Sequence, residues 1–184
     1  MIPDCANKYI PKSRLANFPT PLQSLYNPNH AKLSYTDLLS ICEDVNLIIT
    51  EEMCVSVEEA TRDQNSCKLW FTYRAGRVTA SRLKQACTTS HALPSQSLVK
   101  AICYPEAYKF LTKATHWGCK HEKSAPACYV NHLQGQHGNI TLAKSGLVIN
   151  PKWPHLGASP DGVVTCSCCG KGVCEVKVRT CISN

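Results

Sequence analysis

The chain has 184 residues, 43% apolar and 18% charged, a globular composition with room for one domain, an extension and a sizeable core. No run approaches the ~20 apolar residues of a membrane span, and the opening Met-Ile-Pro-Asp-Cys-Ala-Asn-Lys lacks a charged-then-apolar secretory pattern. Membrane contact and secretion are therefore not expected, and an intracellular protein of the nucleus or cytoplasm is. The +7 charge is uneven: residues 1–50 cancel, whereas Lys68 to Lys123 holds ten basic residues against Glu106 and Glu122. A net +8 over that span fits a polyanion such as nucleic acid better than an acidic small molecule. Thirteen cysteines, an odd count at irregular spacing, read as mostly reduced thiols of such a compartment. The Asn139-Ile-Thr141 sequon is then accidental.

Residues 1–34 carry five prolines and no apolar period, which predicts a loosely ordered arm wrapping a neighbour or another part of the fold. A short helix is expected over Thr36–Glu43, with Leu38, Leu39 and Cys42 on one side. Thr50 is a natural N-cap, with Glu51 and Glu52 complementing the dipole of a helix reaching about Arg62. Asn65 to Tyr73 reads as a further helical run anchored by Leu69, Trp70 and Tyr73. Gly76 breaks that pattern, Thr79 is placed to cap the next helix, and Ser81 falls in its first turn. A hydroxyl, free N–H groups and the nearby Arg74 and Arg77 would suit a phosphate. An ordinary cap with surface arginines explains the same residues.

Pro94 to Leu111 reads as a loop, then a helix from about Pro105. Trp117 opens another helix running toward His132, with Pro126 expected to kink or restart it. Ile140–Asn150 has the alternation of a strand hairpin around Ser145-Gly146. In Gly157–Lys177, Val163, Val164 and Thr165 form one expected strand, and Val173, Val176 and Val178 another, with Cys166–Lys171 as the reversing loop. The hairpin brings Asp161 near a strand with Glu175 and Lys177 on one face. Two carboxylates and an ammonium suit Mg2+ and a metal-activated water, although Ser-Pro-Asp-Gly is also a good type I turn. Cys166-x-x-Cys169 has zinc-knuckle spacing, with Cys168 or Cys174 as further thiolates. No second Cys-x-x-Cys or histidine pair completes a tetrahedron, and His116, Cys119, His121, Cys128, His132 and His137 are scattered. Structural Zn2+ is therefore not expected.

Four blocks in order carry a family resemblance. They are Thr61-Arg-x-Gln64 with Trp70; Arg74-x-Gly-Arg-Val-Thr-Ala-Ser81; Trp117-Gly…Glu122-x-x-Ala125; and Gly-Ala-Ser-Pro-Asp161-Gly-Val-Val…Glu175-Val-Lys177. Together they resemble the YqaJ-type viral recombinases, relatives of the lambda-type alkaline exonucleases within the PD-(D/E)XK nucleases. The resemblance implies an α/β (α+β) restriction-endonuclease-like core, a mixed sheet flanked by helices. It also implies a Mg2+-dependent (alternatively Mn2+-dependent) exonuclease of a viral or mobile element acting in DNA recombination. Glu122, Asp161, Glu175 and the Val176 carbonyl would hold the metal, and Lys177 would serve the attacking water. Arg74 and Ser81 would grip a 5′-terminal phosphate, with Arg77 as a second contact to the DNA backbone. Partners would be DNA, chiefly duplex ends, with a homo-oligomer or a partner recombinase. The division expected is an arm and short helix over 1–50 and the YqaJ-like domain over 51–184. Family members continue past Lys177 with a helix and more strand, whereas this chain has seven further residues, so a C-terminally truncated sheet is expected. Two other readings are an inactive DNA-binding or assembly remnant, and a cysteine-rich zinc-binding interaction module.

Overall fold

The computed structural model describes residues 17–107 and 125–177. Its first helix, α1 (Tyr35–Glu43), starts one residue before the expected Thr36 because Ser34 Oγ accepts the Asp37 N–H and caps it. None of its side chains is buried. In α2 (Glu51–Ala60), Thr50 Oγ1 accepts the Met53 N–H at 3.2 Å, with Glu51 and Glu52 in the first turn, as its sequence predicts. A 3-10 turn over Gln64–Ser66 and α3 (Lys68–Arg74) replace the single expected run from Asn65. Then come α4 (Ala80–Thr88) and α5 (Gln96–Cys103). The last of these occupies what reads as a loop; Leu98 and Ala101, three residues apart, bury one face of it. The helix expected from Pro105 falls largely outside the described residues. Helix α6 (Ala125–Leu133) ends where the sequence predicts and contains Pro126, while the start expected at Trp117 lies outside the described residues.

Among the described residues, six short strands form two sheets. In the first, β1 (Val78–Thr79) runs parallel to β4 (Leu156–Ala158), which pairs antiparallel with β3 (Val148–Ile149). In the second, β5 (Gly162–Cys166) lies between β2 (Thr141–Ala143) and β6 (Gly170–Cys174), all antiparallel. The result is the mixed α/β class expected. The core of Val57, Tyr73, Leu147 and Ile149 joins α2, α3 and the first sheet. Phe18 stacks on Tyr73 with ring centroids 5.8 Å apart, so at this residue the proline-rich arm packs on its own chain.

The hairpin expected over Ile140–Asn150 does not form: β2 pairs with β5, and β3 pairs with β4 in the other sheet. The reason lies in the segment between them, which the end of α2 captures. Glu58 Oε1 accepts the Gly146 N–H at 3.0 Å, Thr61 Oγ1 accepts the Leu147 N–H at 2.8 Å, and Gln64 Nε2 donates to the Ser145 carbonyl at 2.9 Å. Thr61 and Ser145 are both fully buried. Burial pushes the Glu58 carboxyl up, but hydrogen bonds from Arg62 and Gly146 outweigh it, so Glu58 titrates below its ordinary range. Only glycine fits at 146, because a Cβ there would lie 1.9 Å from the Glu58 carbonyl oxygen. Gly146→Ala is accordingly expected to destabilise the fold by about 3 kcal/mol or more, read as a lowered thermal midpoint by circular dichroism.

Candidate active site

The β5–β6 hairpin positions the expected carboxylates. Its register runs from Gly162↔Cys174 to Cys166↔Gly170, closed by the three residues Ser167–Cys169 with Gly170 at φ +81°. That is the glycine-terminated three-residue turn common in hairpins. Asp161 immediately precedes the first strand and Glu175 immediately follows the second, so one more step of register would face them. That step is made by a side chain: Asp161 Oδ2 accepts the Val176 N–H at 2.6 Å. Glu175 and Lys177 are therefore not on a strand, as the sequence suggests, but on the segment just beyond it, since β6 ends at Cys174. Pro160 on the facing chain has no N–H to continue the ladder, and the Asp161 carboxylate takes over. Asp161, Glu175 and Lys177 are all exposed. Two solvent-facing carboxylates with one Asp161 oxygen outside that bond fit a Mg2+ that keeps waters and a substrate phosphate in its shell. Glu122, expected as the third carboxylate, lies outside the described residues.

Two long-range hydrogen bonds place Asp161. Gln64 Nε2 donates to the Pro160 carbonyl at 2.8 Å as well as to Ser145, and Trp70 Nε1 donates to Ser159 Oγ at 2.9 Å. Gln64 adopts φ +44°, in the left-handed region, which costs a non-glycine residue roughly 1 kcal/mol. The same Trp70 ring carries the Arg74 guanidinium 4.0 Å from its centroid. One indole thus ties the carboxylate turn to the basic group expected at the phosphate. Trp70→Phe keeps the aromatic face but removes the Ser159 bond. It is expected to lower any cleavage rate about five- to tenfold, the value of one neutral hydrogen bond, with Arg74-dependent DNA affinity little changed; a filter-binding and digestion pair checks it.

Around Arg74, Nη2 donates to Thr79 Oγ1 at 3.4 Å, and Thr79 Oγ1 lies 3.2 Å from Ser81 Oγ. Thr79 is at the cap position of α4, yet its hydroxyl makes no cap bond and instead links Arg74 to Ser81. Arg74 Nε is buried without a hydrogen-bond partner, and no described carboxylate pairs with it. Burial, followed by repulsion from Arg82, lowers its pKa to about 10, so it stays cationic at neutral pH. A desolvated cation beside an exposed hydroxyl in a helix's first turn is disposed to accept an anion. Arg77 differs from expectation. It is 1% exposed, and donates through Nε to the Pro154 carbonyl at 2.9 Å and through Nη1 to the Tyr73 carbonyl at 2.6 Å. Those bonds tie α3 to the turn before β4 and turn the guanidinium inward, away from any duplex at the surface.

The far end of the hairpin holds a cluster the spacing argument did not assemble. His137, from the loop after α6, meets Cys166, Cys168 and Cys169, with every donor atom within 4.8 Å of the others. Cys174 is not among them.

The mixed α/β core thus sets Asp161 against the Glu175-Val176-Lys177 segment across a hairpin. The profile of the YqaJ-like viral recombinase domain matches residues 69–182, and the chain belongs to that family. The similar solved structures include an alkaline exonuclease, LHK-Exo, of Laribacter hongkongensis, at 29% identity over 61% of this chain and 53% of that one, TM-score 0.46. The Shutoff and Exonuclease Protein of Kaposi's sarcoma-associated herpesvirus aligns at 18% identity over 74% of this chain and 26% of that one, TM-score 0.45. A SOX–DNA complex aligns at 21% identity over 78% and 28%, TM-score 0.42. The chain thus spans about half the length of the first and about a quarter of the other two. Among curated proteins, none matches. No described helix is long and apolar enough to cross a membrane.

Proposed function

We propose that residues 51–184 form a Mg2+-dependent DNA exonuclease domain of recombinase type that engages duplex ends through a 5′-terminal phosphate, with residues 1–50 as an accessory arm. The observation that carries this reading is the Asp161–Val176 bond, which sets Asp161 against Glu175-Val176-Lys177 in a chain of the YqaJ-like family. Asp161, Glu175, the Val176 carbonyl and Glu122 would hold the ion, Mn2+ substituting for Mg2+. Such an ion, when bound, would supply a water of lowered pKa and offset charge on the phosphoryl oxygens. Lys177, two residues beyond Glu175, would orient the attacking water and take or relay its proton. Arg74 and Ser81 hold the terminal phosphate, which fixes the scissile bond relative to Asp161 through the shared Trp70. Basic residues of the described chain, among them Lys68, Arg82, Lys84 and Lys100, suit the DNA backbone. Partnership with a second copy or a recombinase belongs to the same proposal.

The test is degradation of linear duplex by the full chain in Mg2+, with and without chelator. Mg2+-dependent release of nucleotides from ends is the expected result. Salt-sensitive binding with no cleavage in Mg2+ or Mn2+ would identify an inactive DNA-binding remnant instead.

A further inference from the structure

We infer that His137, Cys166, Cys168 and Cys169 form a structural Zn2+ site that fastens the closed end of the β5–β6 hairpin to the loop after α6. Nδ1 of His137 lies 3.3 Å from the Cys168 sulfur, 3.5 Å from that of Cys169 and 3.7 Å from that of Cys166. The Cys166–Cys168 sulfurs are 3.5 Å apart and the Cys168–Cys169 sulfurs 3.6 Å. A tetrahedral zinc with bonds of about 2.3 Å to sulfur and about 2.05 Å to nitrogen requires edges of about 3.8 Å between sulfurs and about 3.6 Å from nitrogen to sulfur. Five of the six edges already stand close to those lengths, and the sixth, between the Cys166 and Cys169 sulfurs, is within 4.8 Å. Three thiolates and one imidazole are a closed donor set for this borderline-soft ion, with no carboxylate or open position to suggest catalysis.

Two further contacts fit a zinc knuckle. The Cys169 N–H donates to the Cys166 sulfur at 3.1 Å, as an amide does to a metal-bound thiolate. Ser167 donates from both its N–H and its hydroxyl to the Gly138 carbonyl, at 2.9 and 2.8 Å, docking the turn beside His137. A Cβ at Gly138 would come within 2.6 Å of that hydroxyl, so a larger residue there would have to turn the hydroxyl away from this bond.

The fold also has a use for the ion. Four of the five residues of β6 are exposed, Val173 at 77%, and the second sheet has little apolar face to hold it. A short, poorly covered sheet is marginal in water, and metal-binding free energy is added directly to folding. The zinc sits at the opposite end of the hairpin from Asp161, about 15 Å away along five residues, so it would stiffen the arm that carries Asp161 without touching substrate. This site stands whether or not the chain cleaves DNA.

The experiment is elemental analysis and X-ray absorption on the full chain, purified under reducing conditions with Zn2+ and, separately, loaded with Co2+. About one zinc per chain, a shell of three sulfurs and one nitrogen, and the visible bands of tetrahedral thiolate-bound Co2+ are expected. His137→Ala and Cys169→Ser should each lower zinc affinity at least about a hundredfold, since loss of mere outer-shell partners already costs ten- to a hundredfold. His137→Cys should keep the ion with a four-sulfur shell, and Cys42→Ser with Cys87→Ser, both exposed elsewhere, should change nothing. If the ligand variants fail to fold, the cobalt spectrum and absorption shell of the unmutated chain still decide. A folded chain that takes up neither Zn2+ nor Co2+, a Cys166–Cys169 disulfide in the reduced preparation, or zinc bound by Cys169→Ser with unchanged affinity would overturn the site.

Discussion

Asp161→Ala and Asp161→Asn are both expected to reduce Mg2+-dependent degradation of duplex DNA at least about a thousandfold, while DNA affinity stays within about tenfold. Loss of a ligand to the ion removes several kcal/mol of transition-state stabilisation, and each 1.36 kcal/mol is a factor of ten in rate. Binding rests on phosphate contacts by basic residues elsewhere, so it should largely survive. The pair of variants separates two roles that the geometry gives this side chain. Asp161 accepts the Val176 N–H and so holds the Glu175–Lys177 segment in place. Asparagine retains a carbonyl oxygen for that bond but not the charge; alanine retains neither. Equal loss in both assigns the effect to the carboxylate charge. Near-parental rates in Asp161→Asn would make the residue a tie across the hairpin, and the metal would have to be sought elsewhere. Glu175→Gln provides the matching result from the other flank, with no corresponding backbone bond to disturb.

What the sequence discloses and what it conceals divides along range of interaction. The Thr50 cap and the β5–β6 hairpin are local patterns, set by a hydroxyl before a helix and by β-branched residues around a glycine-bearing turn. They are legible. The separation of β2 from β3 is not, because it depends on Glu58, Thr61 and Gln64 gripping backbone eighty or more positions away. Neither alternation nor turn propensity carries that information. Arg77 shows the same limit: a basic residue in a basic stretch reads as surface, and only the carbonyls of Pro154 and Tyr73 explain its burial. His137 was visible as a residue but not as a ligand. It stands 29 positions before Cys166, outside any knuckle spacing, and a β-strand pairing is needed to bring the two together. Trp70 was legible through its place in the family pattern, whereas its double contact with Ser159 and Arg74 was not.

Duplexes with 5′-phosphate ends are expected to be degraded about ten- to a hundredfold faster than the same duplexes with 5′-hydroxyl ends, and Arg74→Ala should erase the difference. The magnitude is that of one charged hydrogen-bonded contact, roughly 1.5–3 kcal/mol. The structural grounds are the surroundings of Arg74. Its guanidinium is largely desolvated, rests on the Trp70 ring, repels Arg82, and has a buried Nε without a partner and one long bond to Thr79. A dianionic end group would relieve that condition more than an internal diester with its single charge, because a second charge adds Coulomb energy in a partly dry site. Ser81, joined to Arg74 through Thr79, contributes the exposed hydroxyl and the free N–H groups of the first turn of α4. Arg77→Ala is the contrasting variant. Its guanidinium braces Pro154 and Tyr73 from inside, so it should lower thermal stability while leaving the end preference of the folded fraction intact. The measurement is a pair of initial digestion rates on substrates that differ only at the 5′ end. Equal rates in a protein that does cut DNA would reduce Arg74 and Ser81 to packing and surface roles, and the activity would then be that of an endonuclease.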